Sequence, residues 1–283
     1  MPLLLGCSFK TYFSHARTLE WLRAVAETAR QHPAVSDGRV ELFALPQFPS
    51  IPEALETVAG SAGGGLVAIG AQDLAEHDEG AYTGEVSGAV LAELGCTLVE
   101  VGHAERRRLY GETEEVVAAK TTAALRNGLT PVLCVGEEDR MEADRAAEVV
   151  AAQIASALAP AREAGLTGQL VVAYEPVWAI GAAEPASAEH VVVVTGALRP
   201  RLRADTDLPG RIIYGGSAGP GLLPRIAAGV DGMFLGRFAH DPAAVTAILD
   251  EVLDLDPGTG LDGTDADAGR PGDGDAPPAR APR

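Results

Sequence analysis

Residues 170–181 read LVVAYEPVWAIG, and this stretch indicates the fold most clearly. Its first five residues are apolar, and the run ends at the charged residue Glu175. A short, continuously apolar run of this kind is typical of a strand buried on both faces of a parallel sheet. Pro176 and Gly181 bound the apolar segment that follows, which indicates a loop. The stretch therefore predicts a central parallel strand with an acidic residue at its carboxyl end.

The same pattern recurs along the chain at a spacing of about 30 residues, with helical patterns between the apolar runs. Eight strands alternating with eight helices over about 250 residues predict an α/β protein, a single (β/α)8 TIM barrel. A doubly wound open sheet is the alternative, and the lack of a G-x-G-x-x-G motif after the first run disfavours it. The predicted strands are Leu3–Gly6, Val40–Leu45, Leu66–Gly70, Thr97–Gly102, Pro131–Val135, Leu170–Tyr174, Arg211–Tyr214 and Gly232–Leu235.

Two of the predicted helices show a clear apolar face. Pro220 and Pro242 are expected in the first turns of the last two helices, where proline costs no hydrogen bond. The residues expected to face the core are Leu19, Leu22, Ala26 and Ala29 in the first helix, and Val150, Ile154, Ala157 and Leu158 in the helix after the fifth strand.

The end of the chain differs in composition from the rest. Residues 254–283 are rich in glycine, proline, aspartate and alanine, with almost no apolar anchor. Such a segment cannot bury enough surface to offset the entropy of ordering it. We therefore predict a barrel domain over residues 1–253 and a disordered acidic tail over residues 254–283.

Composition and charge exclude several classes of partner. The net charge of −18 over 283 residues argues against nucleic acid and anionic membranes as binding partners. The same charge repels an anionic substrate, which would therefore need hydrogen-bond donors close to it in the site. Cys7, Cys96 and Cys134 are odd in number and far apart, which disfavours disulfides and zinc and favours the cytoplasm. The chain has no apolar run of transmembrane length, and no basic segment precedes Met1–Gly6, so a signal peptide is not expected. No metal or cofactor is predicted.

Polar residues cluster where the predicted strands end, and in such a barrel the site is built from these ends. Six motifs there resemble the triosephosphate isomerase family, in the family's order, over roughly residues 3–253. The AYEPVWAIG run is the most specific of them. The motifs are GAYTGE at 80–85, VGHAERR at 101–107, YGET at 110–113, PVLCVGE at 131–137, AYEPVWAIG at 173–181 and YGGS at 214–217.

The resemblance implies a cofactor-free aldose–ketose isomerase with three catalytic residues. Glu175 would be the base, and loss of water beside the lid that follows it, residues 176–186 with an apolar first half, should raise its pKa. A neutral His103 would be the electrophile, and Lys10 would stabilise the enediolate. Glu105 would orient Lys10. The residues alone leave an alternative open for each of these side chains. For Glu175 it is a salt bridge, and for His103 it is a place in the core. For Glu105 it is an ion pair with Arg106 or Arg107.

A phosphate site is expected beside these residues. Turns after the seventh and eighth strands offer backbone N–H groups to an anion at Ser217, Gly236 and Arg237. Gly181 in the lid would add another donor, and Ser8 would contact the substrate.

The sequence departs from the family pattern at four places. Ser8 stands where the family has asparagine, Ala104 where it has serine, and Arg237 where it has the second glycine of a pair. The second half of the lid, residues 181–186, also differs. The combination looks like a divergent group of relatives that isomerise tetrulose phosphates.

The expected reaction is interconversion of glyceraldehyde 3-phosphate and dihydroxyacetone phosphate, with an erythrulose phosphate or other four-carbon ketose phosphate as the alternative substrate. A non-catalytic phosphosugar-binding barrel and another phosphate-binding barrel, such as a lyase or epimerase, are further alternatives. The long loop after the third strand, with Thr83 near its end, implies by resemblance a homodimer in which Thr83 approaches the neighbour's Lys10. A mobile surface loop is the other interpretation.

Overall fold

The computed structural model describes residues 1–60, 65–181 and 186–255. Eight parallel strands pair in the order β3-β2-β1-β8-β7-β6-β5-β4. Ala71 bridges Val99 and so joins β3 to β4, which brings the sheet round into a barrel. The predicted barrel is confirmed, and the open-sheet alternative is wrong. The strands are β1 (Leu3–Ser8), β2 (Val40–Leu45), β3 (Val67–Ile69), β4 (Leu98–Val101), β5 (Thr130–Val135), β6 (Leu170–Tyr174), β7 (Gly210–Tyr214) and β8 (Gly232–Leu235).

Helices connect successive strands and cover the outside of the barrel. Pro242 opens the last helix, as predicted, whereas Pro220 lies in a turn before the preceding helix, which begins at Leu223. The helices are α1 (His15–Gln31), α2 (Pro33–Ser36), α3 (Ile51–Gly60), α4 (Gly88–Leu94), α5 (Ala104–Tyr110), α6 (Glu114–Arg126), α7 (Ala143–Glu163), α8 (Ala188–Ala204), α9 (Leu223–Ile226) and α10 (Pro242–Asp254).

The core has two layers, because successive strand residues point to opposite faces of the sheet. All eight residues predicted to face the core from α1 and α7 are buried, and all of them except Leu19 belong to the layer between strands and helices. A smaller apolar cluster fills the barrel interior and includes Leu98 of β4 and Cys134 of β5. On β4, Val99 and Val101 belong to the outer layer, so Leu98 and Glu100 occupy the inward positions.

The predicted domain boundary lies close to the end of α10, which reaches Asp254. Residues 256–283 of the predicted tail, and residues 182–185 of the predicted lid, lie outside the described residues. Within the described ranges, none of the helices combines the length and apolar character needed to cross a membrane.

Candidate active site

Three ionisable side chains from different strands meet in one pocket at the carboxyl end of the barrel. Lys10 follows β1, His103 follows β4 and Glu175 follows β6, and all three line the pocket. Ser8 and Gly236, two of the predicted substrate contacts, line it as well. The barrel therefore brings together three ionisable residues that are more than 70 positions apart in the chain.

Lys10 is held by both its backbone and its side chain. Its φ of 48° lies in the left-handed region that a residue with a side chain seldom adopts. Gln72 donates from Nε2 to the carbonyl oxygen of Lys10 at 3.0 Å. The Nζ of Lys10 lies 2.8 Å from Oε1 of Glu105. Burial alone would lower the pKa of Lys10, but the hydrogen bond to Glu105 and the charge of Glu175 hold it above its ordinary value.

The pairing of Glu105 with Lys10 agrees with the arrangement that the resemblance implied. The alternative partners, Arg106 and Arg107, bind other carboxylates. Arg107 pairs with Glu114 at 2.7 Å, and Arg106 pairs with Asp73 and Glu112. The alternative pairing of Glu105 is therefore wrong.

His103 is oriented as a neutral hydrogen-bond donor. It caps α5, and its Nδ1 accepts the backbone N–H of Glu105 at 3.0 Å. In the neutral ring the hydrogen therefore lies on Nε2, which faces Oε2 of Glu175 at 3.4 Å. Burial and the positive charge of Lys10 lower the pKa of His103 to about 4. The imidazole is thus uncharged at neutral pH.

Glu175 is a buried carboxylate with a raised proton affinity. Glu175 is 6% exposed. Burial, together with the negative charge of the nearby Glu100, raises the pKa of Glu175 to about 8. Ile180 of the lid lines the same pocket. The absence of a side chain at Gly215 leaves room for this carboxylate, since a Cβ there would lie 2.3 Å from Oε1 of Glu175. No side chain larger than hydrogen fits at Gly215 with Glu175 in this position.

Two hydrogen bonds made by side chains hold the described part of the lid. Trp178 donates from Nε1 to Oε1 of Glu137 at 2.9 Å. Ser217 donates from Oγ to the carbonyl oxygen of Ala179 at 2.9 Å. These contacts hold the segment that leads to Ile180, whose apolar side chain lines the same pocket as Glu175 and helps to exclude water.

The predicted phosphate-binding turns lie beside the lid. Ser217 has a φ of 53°, and it and Lys10 are the two non-glycine residues of the described ranges with positive φ. The exposed Arg237 reaches towards the lid, since a Cβ built on Gly181 would lie 3.8 Å from its Nη2. Of the predicted phosphate contacts, Gly236 lines the pocket itself, whereas Gly181 lies in the lid and Ser217 and Arg237 lie in the turns after β7 and β8.

Thr83 is a predicted site residue that lies away from the pocket in a single chain. It is exposed in the loop between β3 and α4 and does not line the pocket. A contact of Thr83 with Lys10 of a second chain stays a prediction.

Sequence reasoning missed the fourth ionisable residue that lines the pocket, Glu100. It is 3% exposed, lines the same pocket as the three ionisable residues, and accepts a hydrogen bond from Ser8 Oγ at 2.9 Å. Burial raises its pKa to about 7. The signal was present as a charged residue inside the otherwise apolar strand LVEV, because a carboxylate is seldom placed in a barrel interior.

The arrangement suits proton transfer next to a carbonyl group. A desolvated carboxylate, a neutral N–H donor and a fixed ammonium group surround a small pocket, which are the groups needed to remove a carbon-bound proton and stabilise the oxyanion formed. In the part of the chain that the structure describes, no three or more His, Cys, Asp or Glu side chains are grouped so as to hold a metal ion.

Comparisons with known proteins agree with this chemistry. The family model described as triosephosphate isomerase matches residues 3–252. The chain is 53% identical to L-erythrulose-1-phosphate isomerase of Pectobacterium atrosepticum, with 89% of this chain and 96% of that protein aligned. It is 42% identical to triosephosphate isomerase of Alkalilimnicola ehrlichii, with 81% and 92% aligned, and 40% identical to that of Rhodococcus jostii, with 83% and 90% aligned.

Proposed function

Since this chain belongs to the triosephosphate isomerase family, we propose that it is an isomerase of a four-carbon ketose phosphate. Of the two substrates considered from the sequence, the comparisons support this alternative better than the triose phosphate. The observation that carries the proposal is the 53% identity to an L-erythrulose-1-phosphate isomerase over 89% of this chain, against 42% to a triosephosphate isomerase.

The chemistry of a four-carbon ketose phosphate fits the same set of groups as that of a triose phosphate. In L-erythrulose 1-phosphate the carbonyl is at C2 and the phosphate is on C1, so the proton next to the carbonyl that leads to isomerisation is on C3. Compared with dihydroxyacetone phosphate, C3 carries one additional hydroxymethyl group. The reaction is therefore the same proton transfer on a larger substrate.

The proposed mechanism passes through a 2,3-enediol. The ionised carboxylate of Glu175 removes the C3 proton, while His103 Nε2–H and the ammonium group of Lys10 hydrogen-bond the C2 oxygen as it gains charge. The C3 hydroxyl proton moves to the C2 oxygen by way of His103. Glu175 then returns its proton to C2, which leaves the carbonyl at C3. Atoms and electrons balance without a cofactor.

The turns after β7 and β8 are proposed to hold the phosphate group. Gly181, Ser217 and Gly236 offer backbone N–H groups, and Arg237 supplies a positive charge. A local cation matters in a chain whose net charge is −18, because the overall field repels the substrate dianion.

The test is a comparison of kcat/KM on L-erythrulose 1-phosphate and on glyceraldehyde 3-phosphate with the purified protein. We expect turnover of the four-carbon substrate with the higher kcat/KM. The proposal fails if the enzyme approaches the diffusion limit on the triose phosphate and is inert on the four-carbon sugar. Binding of both sugars without turnover of either would instead support the non-catalytic barrel considered above.

The roles of the three ionisable residues are tested in the same assay. Glu175→Asp withdraws the carboxylate by about one methylene group, and misplacement on this scale should lower kcat by about 100-fold with little change in KM. Lys10→Met should lower kcat and also raise KM, because the charge of Lys10 acts on the bound anion before reaction. Unchanged kcat in Glu175→Asp would remove Glu175 from the mechanism.

A further inference from the structure

Glu100 is a buried acid for which the proposed proton transfer has no use. It occupies an inward position of β4, where its inward-facing neighbours include Leu98 and Cys134. A carboxyl group in such surroundings is costly to bury unless hydrogen bonds satisfy its oxygens. The described contacts supply one full hydrogen bond, from Ser8, and a weak one from the Cys134 thiol at 3.8 Å.

The carboxyl group of Glu100 therefore has capacity to accept further hydrogen bonds. An ionised carboxylate offers about four lone-pair sites, and the described protein contacts use two of them. Glu100 lines the pocket together with Ser8, Lys10, His103 and Glu175, so a bound substrate can reach it.

The position of Glu100 in the barrel identifies which end of the substrate it meets. β4 and β8 are four strands apart in the ring of eight, so they lie on opposite walls of the barrel. The proposed phosphate turns follow β7 and β8, whereas Glu100 lies on β4. A substrate held by its phosphate at β7 and β8 thus extends its other end towards Glu100.

On this basis we propose that Ser8 and Glu100 together bind the terminal hydroxymethyl group that distinguishes a four-carbon ketose phosphate from a triose phosphate. The hydroxyl of the added group donates to the carboxylate of Glu100, and the hydroxyl of Ser8, which donates to the same carboxylate, orients it. The short Ser8 side chain also leaves the space that the additional carbon needs. The inference rests on the proposed function and assigns its substrate specificity to these two side chains.

The experiment measures kcat/KM on L-erythrulose 1-phosphate and on dihydroxyacetone phosphate for the wild type, Glu100→Leu and Glu100→Gln. Leucine removes the acceptor and is compatible with an apolar barrel interior, and glutamine keeps the shape of the side chain if leucine prevents folding. We expect Glu100→Leu to lower the ratio of the two kcat/KM values, four-carbon over three-carbon, by tenfold or more, because a substrate hydroxyl loses its partner. Glu100→Gln should lower the ratio less.

The ratio separates specificity from a general effect on the enzyme. Both substrates use the same base, so a change in the pKa of Glu175 or in the amount of folded protein affects both kcat/KM values equally and cancels in their ratio. Ser8→Ala should shift the ratio in the same direction. As a matched control, Glu41→Gln alters an exposed glutamate on β2, whose described partner is Arg211, and should leave the ratio unchanged.

The experiment distinguishes failure of the proposed function from failure of the role assigned to Glu100. If the wild type does not turn over L-erythrulose 1-phosphate, the proposed function fails and this inference fails with it. If the wild type does so but the ratio stays within twofold in folded Glu100→Leu and Glu100→Gln, the function stands and Glu100 is a structural acid only.

Discussion

At the scale of single residues, the account depends on how Glu175 is held and ionised. Its carboxylate occupies space that exists because residue 215 has no side chain. Its pKa is raised by burial and by the charge of Glu100. The position of the Glu175 carboxylate can therefore be perturbed at Gly215, and its proton affinity can be perturbed separately at Glu100.

Gly215→Ala should displace Glu175 and lower kcat by about 100-fold, because a shift of about 1 Å at the base costs roughly that factor. The control is Gly196→Ala in α8, where a Cβ meets no atom within 4 Å. That variant should keep its activity and gain a few tenths to about 1 kcal/mol of helix stability. Steady-state kinetics and urea denaturation of both variants check this. Full activity in Gly215→Ala would show that the carboxylate does not need its observed position.

The pH dependence of kcat/KM should report the raised pKa of Glu175. The base must be ionised to accept a proton, and its pKa is about 8, so kcat/KM should fall as the pH is lowered through this region. Glu100→Gln removes a negative charge beside Glu175 and makes its ionisation easier, so this fall should move to lower pH. A pH–rate profile of both proteins measures the shift. A fall confined to pH values below 5, or an identical profile in the variant, would contradict the electrostatic account.

At the scale of secondary-structure elements, a buried charge cluster ties the loop after β3 to α5 and α6. Lys120 of α6 lies 2.8 Å from Asp73 and 2.6 Å from Glu112, and Arg106 of α5 contacts the same two carboxylates. Removing one cation leaves carboxylates buried with too little positive charge. The cluster supports the segment that carries His103 and Glu105.

Lys120→Met should therefore destabilise the fold by about 3–5 kcal/mol, the cost typical of breaking a buried ion pair on one side. The comparison is Arg145→Met, which breaks the exposed pair of Arg145 with Glu148 and should change stability little. Urea denaturation measures both. Equal stability of the two variants would mean that the buried cluster contributes no more than a surface pair.

The sequence predicted the strands well, because runs of apolar residues that end at glycine or charged residues are unambiguous in a parallel barrel. Helix starts were less certain: α9 begins at Leu223 because the turn that contains Pro220 and Gly221 intervenes. The partner of Glu105 could not be chosen from sequence, since two adjacent arginines and a distant lysine were equally available. Glu100 was missed because its strand was identified as apolar and the single charge within it was given no weight.

At the scale of the whole molecule, the loop between β3 and α4 and the loop after β1 expose the aromatic side chains Tyr82 and Tyr12 at the active-site end of the barrel. Exposed aromatic side chains are enriched in protein interfaces. We predict that the protein is a homodimer, with Thr83 of one chain near Lys10 of the other. Light scattering at micromolar concentration should give twice the mass of one chain. A monomeric mass with full activity would exclude a contribution of the second chain to the site.

The most direct test of the central claim follows the substrate proton. The wild-type protein is incubated with L-erythrulose 1-phosphate in deuterium oxide, and the product is analysed by proton NMR spectroscopy. A base that moves a proton between C3 and C2 through an enediol exchanges it with solvent, so we predict a 3-ketose product carrying deuterium at C2. Absence of this product, under conditions in which the same preparation converts triose phosphate rapidly, would contradict the account.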